Sequence, residues 1–213
     1  MADPQFNVDG WQMLIGQIQQ IRESVRELTK PSGSQLAQVV GYLTGANGSA
    51  VGSGYFSNNL STNQHDRLWL DYDPTVDPSV VVSAPLSGAI RLQIFSWLYV
   101  GVNAYSSSGV GVNARYTATC EVLDPSGALV AQQVANAQLH AEVWGTNFAN
   151  VLGTNASAQG TVTGLTPGVR YTVRARHGYY GYAHDGNSNT VTMPSGSWYK
   201  GTIGPITINV TPQ

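Results

Sequence analysis

The chain has 213 residues and a mass of 22.7 kDa, enough for a helical segment plus one well-cored domain, or at most two small ones. Charged residues make up 10% of it, against about 25% in an average soluble domain. Ten basic against twelve acidic residues, with no basic run, leave no electrostatic footprint for nucleic acid or an anionic membrane. So neutral a surface suits either a subunit that packs against copies of itself or an uncharged monomer.

The first ten residues, MADPQFNVDG, show no basic region followed by an apolar stretch, so no signal peptide and no export by the general secretion route are expected. Next come Trp11, Leu14, Ile18, Ile21, Val25 and Leu28, spaced by alternating threes and fours, with polar residues at most other positions. These are heptad a and d positions. Asp9 suits the N-cap and Lys30-Pro31 the stop, which predicts one helix from about residue 9 to 29. A lone helix of this length is marginal in water, and so narrow a seam fits copies of itself better than the broad face of a sheet. Isoleucine at both Ile18 and Ile21 points to a parallel homotrimer.

PSGSQ (31–35) is a hinge, and the Gly/Ser/Asn-rich segment 45–64 reads as loops around at most one short strand. From there the period changes to two. Runs rich in Val, Ile, Thr, Tyr and Trp predict strands near 67–73, 79–84, 88–103, 112–123, 128–143, 158–164, 169–177, 188–193 and 202–211. DPSG (124–127) is a turn between two of them. The apolar run 92–102 has 11 residues, where a membrane-spanning helix needs about 20, so it reads as buried strand and no membrane insertion is expected. The fold expected is mainly β: an antiparallel β-sandwich or jelly roll over 65–213, preceded by a linker region (31–64) and a short coiled-coil helix (1–30). Cys120, the one cysteine, sits in an alternating run and reads as a buried thiol.

Residues 162–177, VTGLTPGVRYTVRARH, resemble the corner of a fibronectin type III domain through Leu165, Pro167, Gly168 and Tyr171. The resemblance implies a tyrosine corner, with the Tyr171 hydroxyl bonded back to the turn. It covers 16 residues, and the β region is longer than one such module, so only sandwich architecture carries over.

Little in the chain reads as catalytic. His65, His140, His177 and His184 lack the spacing of a zinc site, and Asp66, Asp71 and Asp73 lack the glycine and terminal glutamate of a calcium loop. No nucleophile elbow, P-loop or dinucleotide fingerprint is present, so the chain reads as a non-enzyme without cofactor or metal. The N-x-S/T patterns at Asn47, Asn59, Asn155 and Asn209 read as chance in an Asn-rich chain.

A binding surface is the better candidate. RHGYYGYAHDGNSN (176–189) gathers His177, Tyr179, Tyr180, Tyr182, His184, Asp185 and Asn187 among glycines, and SGSWYKG (195–201) adds Trp198 and Tyr199. Tyrosine offers a flat apolar face and a hydroxyl at low entropy cost, which suits a sugar or a protein surface. The same residues would equally pack between strands or subunits.

A short heptad helix, a polar hinge and a low-charge β domain resemble, as a layout, the minor tail and fibre proteins of tailed bacteriophages, especially those infecting actinobacteria. The resemblance implies a trimeric virion component that contacts other virion proteins and a host-surface glycan. Capsid decoration or head-fibre proteins share the layout, and a lectin-like carbohydrate-binding module is the alternative outside a particle. Light scattering on the purified chain should give ~68 kDa, three times the monomer, and replacing Ile18 and Ile21 with Asn should abolish assembly while the β domain stays folded. A monomer persisting at high concentration would exclude self-assembly through the seam.

Overall fold

The computed structural model describes residues 47–105 and 109–213 and, ahead of them, Gln19 alone. The heptad residues Trp11, Leu14, Ile18, Ile21, Val25 and Leu28, and the 31–35 hinge, lie outside the described residues. What is described is antiparallel β structure: β1 (Gly48–Val51), β2 (Phe56–Leu60), β3 (Gln64–Trp69), β4 (Ser79–Ser83), β5 (Ile90–Tyr105), β6 (Gly111–Leu123), β7 (Leu129–Trp144), β8 (Thr146–Val162), β9 (Arg170–His184), β10 (Thr190–Val191) and β11 (Trp198–Pro212).

In the first sheet β11 pairs along one edge with β5, which pairs with β8, while β1 and β2 share the other edge of β11. In the second, β9 pairs with β6 and β6 with β7, while β4, β3 and β10 share the outer edge of β9. With β1–β2 and β3–β4 each taken as one broken strand, both sheets have four columns. Numbered along the chain, these run 1-8-3-6 and 2-7-4-5, the connectivity of a jelly roll.

Alternation along the long strands fills the space between the sheets. Ile90, Leu92, Ile94, Leu98, Val100, Val102 and Ala104 of β5 point inward, as do Val112, Ala114, Tyr116, Ala118, Cys120 and Val122 of β6. On β11 the inward set is Tyr199, Ile203, Ile206, Ile208 and Val210, and the irregularity between Ile203 and Ile206 lets both face the core although their parity differs. Burial pushes the Cys120 thiol up to about 12, so it is an inert apolar filler.

Three segments differ from the pattern expected. Residues 45–64, expected to hold at most one short strand, carry β1, β2 and the start of β3. Their polar side chains do not matter to the pairing, because these strands join β11 and β9 through the backbone, and inward positions such as Ala50, Phe56 and Leu60 supply what apolar contact is needed. β8 starts at Thr146 rather than near 158, since an edge strand whose residues 149–155 are mostly exposed needs no apolar alternation. β9 runs through the Gly/Tyr segment to His184, where the sequence points to a loop.

The glycines of that segment are there for packing and not for turning. A Cβ on Gly181 would lie 2.7 Å from the Tyr199 ring, and one on Gly178 would lie 2.6 Å from the Leu68 carbonyl and 2.9 Å from the Trp69 ring. The relation is reciprocal across the core. Tyr199 of the first sheet rests on Gly181 of the second, and Tyr116 of the second rests on Gly201 of the first. Tyr179 lies between them, stacked on Tyr116 at 5.5 Å and on Phe56 at 5.7 Å, with Tyr199 at 6.4 Å. The Tyr116 hydroxyl donates to Asn58 Oδ1, so the ring crosses the whole interior. Gly201→Ala would drive a methyl into the Tyr116 ring and should cost roughly 1–3 kcal/mol in urea unfolding. An unchanged midpoint would show that the sheets do not interlock there.

Candidate functional site

The structure divides the residues that the sequence groups together. His177, Tyr179 and Tyr199 are buried in the core, so they do not form a binding surface. Their parity along β9 and β11 sets them inward, and the aromatic cluster between the sheets absorbs them. His177 Nδ1 lies 2.7 Å from Asp77 Oδ1, with both side chains buried and Phe56 against the imidazole at 4.9 Å. Asp77 also accepts the Asp73 amide at 3.2 Å. This histidine–aspartate pair ties β9 to the 73–77 turn and is closed to any substrate of size.

Asp185 and Asn187 belong to the turn between β9 and β10. Asp185 Oδ1 accepts the amides of Asn187 and Asn189, and Oδ2 accepts the Asn189 side-chain amide at 3.0 Å. The carboxylate closes its own turn, as Asp73 does toward Thr75 and Asp124 toward Ser126 and Ala128. At the fibronectin-like corner, Leu165 and Tyr171 are buried, and the Thr166 amide donates to the Tyr171 hydroxyl at 3.1 Å. Pro167 and Gly168 form the turn between them; the Gly168 amide bonds to the Ala84 carbonyl with φ at 76°.

Tyr180 and Tyr182 point outward from the second sheet, and His184 shares their side but is buried at 6% exposure beneath Trp144, so it offers no surface of its own; the strand register sets them in cross-strand rows. Tyr180, Arg115 and His140 form one row, which Arg67 of β3 joins over the Tyr180 ring; Tyr182, Asn113 and Glu142 form the next, with His65 of β3 against Tyr182; His184, Gly111 and Trp144 form a third. Stacking links the rows: Tyr180 to Tyr182 at 6.2 Å, Tyr182 to His65 at 5.6 Å and to His184 at 5.9 Å, and Trp144 edge-on to His184 at 4.4 Å. Arg67 lies over Trp69 at 5.2 Å and over Tyr180 at 5.9 Å, and Arg115 lies over Tyr180 at 5.5 Å. Further along, buried Glu121 accepts both Arg174, at 2.9 and 3.0 Å, and Arg176, at 2.9 Å. Arg174 covers Tyr72 and Arg176 covers Trp69.

Trp198 belongs to the opposite face. There Phe95, Trp97 and Tyr99 of β5 point away from the core, and Tyr55 meets Trp97 edge-on at 6.5 Å. Trp97 stacks on Tyr99 at 6.1 Å and 19°. Lys200 Nζ sits 5.9 Å from the Tyr99 ring and 4.8 Å from the Trp198 ring, so the row continues onto β11. Tyr55 is 59% exposed and Trp97 38%. Gly153, opposite Tyr99 on β8, leaves that side of the ladder open, while Asn155, Asn103, Thr202 and Ser57 stand around it. A shallow depression of about 280 Å³ beside Trp198 is lined also by Asn59, Leu60, Ser61, Gly196 and Ser197. The signal for this ladder lies in LQIFSWLYVGV, where aromatics at 95, 97 and 99 share one face of a strand whose other face is aliphatic.

No protein-family model matches the sequence, and no curated protein matches it. Solved structures share a general likeness of shape at low similarity. A CocE/NonD family hydrolase from Staphylococcus aureus is 10% identical with a TM-score of 0.30, over 78% of this chain and 36% of that one. A chain of infectious bursal disease virus, Gx strain, is 10% identical with a TM-score of 0.28, over 78% and 40%. The CBM22-1 xylan-binding domain of Paenibacillus barcinonensis Xyn10C is 10% identical with a TM-score of 0.22, over 80% and 98%. This chain thus spans little more than a third of the hydrolase. Likenesses this low assign no activity, and the class of protein defined by the coordinates is a two-sheet antiparallel β-sandwich of jelly-roll order with aromatic residues on both outward faces.

The Asp185 turn yields a test of sign. Hydrogen bonds from Asn189, first its side chain and then its backbone, hold the Asp185 carboxyl below its ordinary value. A lowered folded-state pKa contributes stability that is present above the unfolded value of about 3.9 and is lost as pH falls through the folded value. Asp185→Ala should therefore lower the urea midpoint at neutral pH, and its difference from the parent should shrink as pH falls below about 3.9. A difference independent of pH would exclude the charged cap.

Proposed function

We propose that this chain is a non-enzymatic component of a bacteriophage particle, a minor tail or fibre protein. In this reading it trimerises through residues 11–28, and its jelly roll holds a neutral host-surface glycan on the Tyr55–Trp97–Tyr99–Trp198 ladder. The ladder carries the recognition part: aromatic rings exposed side by side on a sheet face, ringed by amide and hydroxyl groups, offer stacking for the apolar faces of sugars and hydrogen bonds for their rims. The virion part rests on the layout of the chain, and the low charge of the surface supports it.

In the second role within a particle, capsid decoration, the same ladder would be buried between copies of the chain or against a shell. The exposure of Val51, Tyr105 and Val151 on that sheet is what gives this role standing. A panel of neutral bacterial-surface oligosaccharides, read by calorimetry, separates the two. The parent chain should bind at least one member, and Trp97→Ala or Tyr99→Ala should weaken binding by about tenfold or more, at the upper end of what aromatic contacts contribute, with circular dichroism unchanged. Loss of the oligomer in Trp97→Ala, with no glycan bound by the parent, would instead assign the ladder to subunit contact.

A further inference from the structure

The outer face of the second sheet carries five of the seven Lys and Arg residues in 47–213: Arg67, Arg115, Arg170, Arg174 and Arg176, the other two being Arg91 and Lys200. Two of the five are compensated, and Arg170 stands apart at the start of β9. Arg174 and Arg176 share buried Glu121. Arg67 and Arg115 converge on the Tyr180 ring instead, and among the described residues neither has a carboxylate within 4.0 Å. Glu142, the nearest acid by register, is engaged by Trp144 Nε1 at 2.6 Å and lies 3.2 Å from His184 Nε2.

Around these two guanidinium groups, polar atoms are enclosed without partners. Arg67 Nε, Arg115 Nε, Thr117 Oγ1 and Asn113 Oδ1 are all buried with no hydrogen bond, and the Thr117 and Asn113 residues are only 0% and 7% exposed. Buried polar groups are ordinarily satisfied, and a cluster of exceptions needs a reason. Placing two like charges beside one ring and leaving them uncompensated is unfavourable for folding alone; burial first, and the Arg115 charge as well, draw the Arg67 guanidinium below its ordinary value. Burial and the same Arg115 charge hold the His140 imidazole below its usual range, so at neutral pH it adds hydrogen-bonding capacity to the row and no further charge.

We infer that this row, Arg67–Tyr180–Arg115–His140, is a second binding site, taking the carboxylate of an acidic sugar between the two arginines with the sugar ring against the neighbouring Tyr182. Each guanidinium presents a planar fork that matches a carboxylate. Adjacent outward rows are about 6.8 Å apart along a strand, so the ring and its carboxylate reach both. A nucleic-acid backbone does not fit, because two uncompensated arginines cannot track a run of phosphates. The site is independent of the ladder on the first sheet.

Calorimetry with a glucuronate-containing oligosaccharide, its carboxyl-reduced neutral counterpart and glycerol phosphate tests the assignment. The acidic oligosaccharide should bind at least about tenfold more tightly than the reduced one, as for loss of a charged hydrogen-bonded partner. Arg67→Gln or Arg115→Gln should each weaken it by a similar factor, whereas Arg170→Gln, which removes the same charge elsewhere on β9, should not. The arginine variants should keep or raise the melting temperature, since each relieves a like-charge pair. Equal binding of the reduced oligosaccharide, insensitivity to either arginine, or a preference for glycerol phosphate would overturn the proposal, and so would a fall in melting temperature without a loss of binding. The neutral panel on the same protein scores the ladder separately, so either site fails without the other.

Discussion

Tyr116 and Tyr199 cross the interior in opposite directions, each ending on a glycine of the facing sheet, and much else follows from that interlock. Side chains in a strand alternate strictly, so seating Tyr199 inward obliges Trp198 and Lys200 to face out, and seating Tyr179 and Gly181 inward obliges Tyr180 and Tyr182 to face out. A slip of one residue in β9 or β11 would bury Lys200, Arg174 and Arg176 and expose the aromatic core. The chemistry of both outer faces is therefore set by how the inside packs. Burial, and then neighbouring tyrosines, drive both hydroxyls well above the ordinary tyrosine range, which keeps them neutral and lets Tyr116 serve as a donor to Asn58.

The edges show a division of labour of the same kind. Short strands cover the outer edges of β11 and β9, which would otherwise be open to stray pairing: β1 and β2 on one, β4, β3 and the later β10 on the other. Asn63 helps to hold that cover, donating to the Val191 carbonyl at 2.7 Å and accepting the Ala183 amide at 3.0 Å. Three aspartates, Asp73, Asp124 and Asp185, close the turns that reverse the chain, each held below the ordinary carboxylate range by its own hydrogen bonds, first from Thr75, Ser126 and Asn189 respectively.

Most of the long strands were legible because their inner faces are aliphatic in strict alternation, as in Ile90–Ala104 and Val112–Val122, and the Asp124–Gly127 turn announces itself in DPSG. Less could be read where backbone pairing alone makes the strand, as in β1, β2 and the Asn/Gly-rich start of β8. Gly178 and Gly181 mislead for a related reason. Glycine marks a turn locally, but here it marks the close approach of Trp69 and Tyr199, which come from other strands. Trp97 and Tyr99 were visible as outward neighbours but hidden within a run whose hydrophobicity reads as burial. The Arg67–Tyr180–Arg115–His140 row has no local signal, since its members lie far apart in the chain and meet only through the pairing of four strands.

That row gains its force from the scarcity of charge elsewhere. In a surface dense with lysine and glutamate, two arginines without a carboxylate would be one fluctuation among many, screened and locally compensated. Here only seven cations and eight acidic residues, Asp66, Asp71, Asp73, Asp77, Glu121, Asp124, Glu142 and Asp185, occur in 47–213. Asp77 is buried against His177, Glu121 is held by two other arginines, and three more acids close turns. With Glu142 held by Trp144, six of the eight acids are thus committed to structure, while Arg67 and Arg115 have no carboxylate partner among the described residues. The first sheet, by contrast, puts its exposed aromatics beside a single cation, Lys200, whose charge is already spread over Tyr99 and Trp198. One fold thereby presents an aromatic surface beside one cation on one side and an arginine-rich one on the other, so the two ligand classes proposed for them would not compete for the same residues.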